Sequence, residues 1–160
     1  MIKNSDLKIL YNWAKQTSFP LKKAPTTEGY TNKDIYISWL KGVGKTVTIR
    51  KKLMTEEVYK IFENENILYA TYSLFTEGTI LKPHRDPNVY REPYKRIQVP
   101  LTIPNKEKCY MTWRGETIYW DEGVCQVFPV MDYIHDGGNL SDKPMEFLMI
   151  DVKKSCLVEI

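Results

Sequence analysis

Two histidines and a nearby acid are the residues of this chain best suited to chemistry. His84 and Asp86 stand two apart in Gly78-Thr79-Ile80-Leu81-Lys82-Pro83-His84-Arg85-Asp86, and His135 lies 51 positions beyond His84. In an extended chain, side chains i and i+2 share a face, so His84 and Asp86 can reach one ion together. Alone the triplet is a weak signal, because the chain holds 20 acids among 160 residues and a solitary strand histidine is more often structural. His135 shifts the balance. It follows the strand-like Cys125-Gln126-Val127-Phe128-Pro129-Val130 and the turn-like Met131-Asp132-Tyr133, and a β-barrel brings such a position back opposite His84. Two imidazoles and one carboxylate on one side of an ion leave its other side open, the donor set of non-haem Fe(II) centres that react with dioxygen. Cys109, Cys125 and Cys156 offer no competing C-x-x-C spacing.

The elements that must position these groups read as mainly β. After residue 66 come short β-branched or aromatic runs, ILYATYSLF, RIQVPLTI, CYMTW, TIYW, CQVFPV and MEFLMIDV, separated by turn formers such as Glu77-Gly78, Pro104-Asn105, Arg114-Gly115 and Gly137-Gly138. Closely spaced strands of this kind predict a jelly-roll core over about 66–155. Ahead of it, Leu7, Leu10, Tyr11 and Ala14 recur at helical spacing, with Asn4 or Ser5 as the expected cap and Asp6 in the first turn. Residues 20–34 read as a loop, 35–40 as a strand, Lys41-Gly42-Val43-Gly44 as a turn and Thr46 to Lys52 as a second strand. Thr55 opens a second helix to about Asn64. The whole is one domain, 1–160, with 1–65 supporting the core.

Composition narrows the function. The net charge of +3 is too small to argue for nucleic acid or an anionic membrane. The aromatic strands read as sheet core before stacking platforms for single-stranded nucleic acid. No apolar run reaches the roughly 20 residues of a membrane span, and the first residues do not read as a signal peptide. An odd set of scattered cysteines suits a reducing cytoplasm. Gly42-Val43-Gly44-Lys45-Thr46 ends like a phosphate-binding loop but has Trp39 where the motif needs glycine, so it reads as a hairpin turn. Asn139-Leu140-Ser141 matches a glycosylation acceptor that a cytosolic chain does not use.

Residues 73–152 resemble the aspartyl/asparaginyl β-hydroxylase family of Fe(II)- and 2-oxoglutarate-dependent oxygenases. The resemblance rests on Ser73, Gly78-Thr79, Pro83-His84, Arg96 with Pro100-Leu101, Ile103-Pro104, Trp120 with Glu122-Gly123, Val127-Phe128, His135, Asn139 and Leu148-Met149-Ile150-Asp151-Val152. It implies a double-stranded β-helix, cupin-like in its jelly-roll core. It also implies a hydroxylase that couples oxidative decarboxylation of 2-oxoglutarate to attack on a C–H bond, of an Asp or Asn side chain, a peptide or an amino acid. His84 and His135 become the iron ligands. Where family members best known from animals have glycine, this chain has Asp86, completing a triad. The family's arginine ten residues after the second histidine is Met145 here, and its histidine two after the Arg96 position is Gln98. The far carboxylate of the co-substrate then falls to Arg96, Ser73 and Gln98. Arg96 leads because a guanidinium holds a carboxylate bidentately, with Lys95 next in line.

Expected partners are a protein, peptide or small-molecule substrate, with no nucleic acid and no membrane. Two rival readings stay open: a cupin-type metal enzyme that uses no 2-oxo acid, and a non-catalytic β-sandwich binding module with structural histidines.

Overall fold

The computed structural model describes residues 1–25, 29–43 and 46–160. Helix α1 (Asn4–Lys15) leads into β1 (Lys22–Lys23), β2 (Ile35–Val43) and β3 (Val47–Ile49), then α2 (Glu56–Phe62). The rest is strand: β4 (Ile67–Phe75), β5 (Ile80–His84), β6 (Tyr94–Thr102), β7 (Cys109–Trp113), β8 (Glu116–Tyr119), β9 (Gln126–Phe128), β10 (His135–Asn139) and β11 (Met145–Lys153). Two antiparallel sheets result. The larger runs β1-β2-β4-β11-β6-β9 with β3 on β2, and the smaller runs β5-β10-β7-β8. This is the cupin-like, mainly β architecture expected from the sequence.

The alternation of the central strands decides what lies on each face of the large sheet. One face of β4, β6 and β11 presents Ala70 and Tyr72, Ile97 and Val99, and Leu148 and Ile150, and these pack with Leu7, Leu10 and Trp13 of α1 and Val58 and Phe62 of α2. Leu10 and Phe62 are wholly buried, each contributing about 1.5–3 kcal/mol. Thus both helices cover the outer face. The inner face faces the small sheet and carries the cavity.

Several local expectations are corrected. The helix cap is Lys3, not Asn4 or Ser5; its N–H donates to Asp6 Oδ2 at 3.0 Å, so the acid three residues on closes the first turn. Thr55 does cap α2, accepting from the Val58 N–H at 3.3 Å. Residues 1–65 do more than support the core, because β1 to β3 extend the large sheet and Ile35 and Ile37 reach the cavity. Lys41, read as a turn residue, lies inside β2 opposite Ala70. It is 2% exposed, and its Nζ donates to the carbonyls of Phe62 (2.5 Å) and Asn64 (2.9 Å), closing the C-terminal end of α2. Burial pushes this amine down to about 8, against a smaller upward pull from Glu63. Of the phosphate-loop-like string, Gly44 and Lys45 lie outside the described residues. Asn139 is fully buried; its amide donates to Phe75 O and Lys143 O and its oxygen accepts from the Ser141 N–H and hydroxyl.

Candidate metal centre

The small sheet makes His84 and His135 neighbours. They are register partners across β5 and β10, with ring centroids 4.4 Å apart. The pairing slips between His135 and Gly137, an irregularity of the kind that re-aims side chains beside active sites. β5 is an edge strand, which tolerates Pro83 directly before His84. Gly137 and Gly138 line the cavity next to His135. A Cβ on Gly137 would lie 2.8 Å from the Tyr110 carbonyl, so β10 needs glycine there to approach β7.

Both imidazoles are oriented alike. His84 Nδ1 meets Lys82 O at 2.6 Å and His135 Nδ1 meets Tyr133 O at 3.1 Å. Each ring thereby spends Nδ1 on a carbonyl two residues earlier and presents Nε2 to the centre, the tautomer control that metal-binding histidines use. Both Nε2 atoms face Asp86 Oδ1, at 3.5 Å from His84 and 3.0 Å from His135. One ligand atom from each of the three residues lies within 4.8 Å of the others. Asp86 itself is beyond the end of β5, where its N–H donates to Val130 O at 3.0 Å. It therefore reaches the histidines from a tethered loop, not from the shared strand face expected from its spacing.

Arg96 sits behind Asp86. Its Nη1 donates to Asp86 Oδ2 at 2.7 Å, while Nε and Nη2 donate to the two oxygens of Asp151 at 2.7 and 3.0 Å. Asp151, 1% exposed, also accepts from the Tyr90 hydroxyl at 2.6 Å. The chain Tyr90–Asp151–Arg96–Asp86 leaves Asp86 one free oxygen, the one turned to the histidines. Burial pushes the Asp86 carboxyl up, but the hydrogen bonds of His135 and His84 and the Arg96 charge outweigh it and hold it well below the usual carboxylate range. For His84, burial pulls the imidazole down, and the bonds to Asp86 and Lys82 outweigh it to give a raised value. With both imidazoles neutral, two carboxylates against one guanidinium leave a negative excess in a mostly buried cluster, and buried charge demands a counter-charge, a proton or a cation. Imidazole and carboxylate donors beside that excess fit a divalent cation of the Fe(II) or Mn(II) type.

The centre opens on a cavity of about 210 Å³. Its large-sheet wall is built in rungs. Tyr69, Asp151 and Arg96 form the first; Thr71, Met149 and Gln98 the second; Ser73 and Phe147 the third; Phe75 and Met145 the fourth. Arg96, Ser73 and Gln98 all line it, and Lys95 does not. Yet Arg96 is the one lysine or arginine among the described lining residues, and it is engaged twice over. Trp120 lines the cavity, whereas Tyr72, Tyr94, Trp113 and Tyr133 do not. Asp151 was missed as a partner of the site, although an acid inside the apolar run Met145-Glu146-Phe147-Leu148-Met149-Ile150-Asp151-Val152 signals a buried counter-charge.

The fold is shared with solved structures of low sequence similarity. A 2OG-Fe(II) oxygenase family oxidoreductase from Burkholderia pseudomallei aligns with TM-score 0.61 and 11% identity over 90% of this chain and 78% of its own. A predicted oxalate decarboxylase from Thermotoga maritima gives 0.55 and 11% over 85% and 94%. A cupin-like protein from the same organism gives 0.52 and 12% over 83% and 80%. No curated protein matches the chain. Among the described residues, no helix is long and apolar enough to cross a membrane. The sequence profile of one family spans residues 9–155, nearly the whole domain just described, and on that match the chain belongs to the aspartyl/asparaginyl beta-hydroxylase family.

Proposed function

We propose that the protein is an Fe(II)-dependent oxygenase that hydroxylates a C–H bond at the expense of a 2-oxo acid, 2-oxoglutarate being the co-substrate its family suggests. The observation that carries this reading is the convergence of His84, Asp86 and His135, with ligand atoms within 4.8 Å, beside the cavity that His84 and His135 line. When bound, the iron would supply activation of dioxygen: the 2-oxo acid loses carbon dioxide and takes up one oxygen atom, and the other enters the substrate as hydroxyl. The chain's own residues do the positioning. Lys82 O and Tyr133 O fix the imidazoles, Arg96 fixes the carboxylate, and the cavity wall excludes water from the reacting groups. The substrate we propose is a protein, a peptide or a small molecule met in the cytoplasm, with Asp or Asn side chains among those to test.

A second reading is favoured by the engaged state of Arg96: the same centre working as a cupin-type metal enzyme without a 2-oxo acid. One experiment separates the two. The protein is loaded anaerobically with Fe(II), titrated with 2-oxoglutarate, exposed to air with a peptide and metabolite panel, and assayed for succinate. Succinate formation that requires His84 and His135 supports the oxygenase. Metal binding without any response to 2-oxoglutarate or to other 2-oxo acids favours the cupin-type reading.

A further inference from the structure

The two histidines differ in what surrounds their strands. β10 lies between β5 and β7, so His135 has a neighbour on either side, whereas β5 ends the small sheet. The pairing also slips. His135 faces His84 and Gly137 faces Leu81, two residues of β10 against three of β5. The extra residue falls at Lys82-Pro83, directly before His84, and a bulge of this kind leaves that stretch of the ladder unpaired. Yet Lys82 supplies the carbonyl that meets His84 Nδ1 at 2.6 Å.

A stretch ahead of β2 makes good the loss. Thr31 bridges Leu81 in antiparallel fashion. The Asn32 N–H donates to Ile80 O at 3.3 Å, and its side-chain oxygen accepts from the Ile80 N–H at 2.7 Å. Beyond them the Lys82 N–H donates to the Tyr30 carbonyl at 2.7 Å. The Tyr30 ring then lies over the His84 imidazole, with centroids 4.7 Å apart and planes 28° from parallel, and lines the cavity beside it. Tyr30 thus reaches His84 by two routes: it fixes the residue whose carbonyl meets Nδ1, and it covers one face of the ring. Turning the imidazole about its bond to Cβ would swing Nε2 off the centre, and a flat neighbour in stacking contact opposes that turn. Resting on the metal centre of the oxygenase reading above, we infer that Tyr30 is a positioning residue, whose ring holds the His84 imidazole in the orientation that aims Nε2 at the centre, so that ion affinity depends on a side chain outside the ligand set.

The test uses the whole chain, with Mn(II) as the probe. Tyr30→Leu keeps apolar bulk and the backbone carbonyl but removes the flat ring, whereas Tyr30→Phe keeps the ring and removes the hydroxyl. Mn(II) is expected to bind Tyr30→Leu about tenfold more weakly than wild type, the loss usual when a group supporting a ligand is removed, and to bind Tyr30→Phe as wild type does. The zero-field splitting of bound Mn(II) in electron paramagnetic resonance, which reports ligand geometry, is expected to change in Tyr30→Leu alone. Wild-type affinity and spectrum in Tyr30→Leu overturn the inference, as does a Tyr30→Phe variant as weak as Tyr30→Leu; in both cases the metal centre stands. If wild type itself takes up no Mn(II), the centre and the inference fall together. Should Tyr30→Leu fail to fold by thermal melting, the unsubstituted chain decides. The Tyr30 ring resonances, identified by their loss in Tyr30→Phe, are expected to be broadened by bound Mn(II), and sharp ones overturn the inference.

Discussion

His84 and His135 stand directly opposite each other on adjacent antiparallel strands, with both Nε2 atoms turned to one oxygen of Asp86. Such a pair is placed to bind an ion as a unit. Mn(II) at 100 times its dissociation constant is expected to stabilise the native chain by about 2.7 kcal/mol. His84→Ala or His135→Ala should abolish the thermal shift that reports this. A full shift in both variants would remove the centre from the protein.

Arg96 bridges two carboxylates that would otherwise be left with buried charge. Arg96→Met is expected to cost about 3 kcal/mol in urea unfolding. Removing its main partner as well, in Arg96→Met/Asp151→Leu, should cost less than the sum of the single changes. The coupling, of order 0.5–3 kcal/mol, is read from the double-mutant cycle. Strict additivity would mean that the ion pair contributes nothing.

Lys41 makes stability depend on pH. Its folded value of about 8 lies below the ordinary 10.5, so between those limits the unfolded chain binds a proton that the native chain has released. Stability therefore rises with pH across that window. The gain attributable to Lys41 between pH 7 and 9.5 is expected to be about 2 kcal/mol, at 1.36 kcal/mol per unit. Denaturant titrations of wild type and Lys41→Met measure the difference directly. Identical pH slopes in the two proteins would refute this assignment.

Gly137→Ala should destabilise the chain by about 1–3 kcal/mol, because its Cβ meets a backbone carbonyl that cannot rotate away. For a domain of this size that corresponds to a fall in melting temperature of roughly 2–4 °C per kcal/mol. Weaker Mn(II) binding should accompany it, since His135 is two residues away on the same strand. Unchanged melting and unchanged affinity would show that β10 has slack at this point.

Much of this was legible from residue order, for identifiable reasons. Periodicity announces β4, β6 and β11 because one face of each meets the helices and is uniformly apolar. His84 and His135 stood out because the chain has no third imidazole to confuse them. What stayed hidden depends on three-dimensional pairing. Nothing in the string says that Arg96 is taken by Asp86 and Asp151, since those contacts span 10 and 55 residues. Lys41 looked like a turn because its charge and the glycine after it resemble one; its burial follows from the carbonyls at the end of α2, which local reading does not see. Asn139 sits in a glycosylation-like triplet that was set aside, and its role as an interior knot of hydrogen bonds does not show in the string.

The ligand set is moored unequally. Asp86 is tied through Arg96 to Asp151 on β11, a strand flanked on both sides by neighbours, whereas His84 ends an edge strand. Interior strands open only when the whole domain does, while edges fray on their own. The carboxylate is therefore expected to keep its place when the end of β5 loosens, a difference that faster amide hydrogen exchange at His84 than at Asp151 would show.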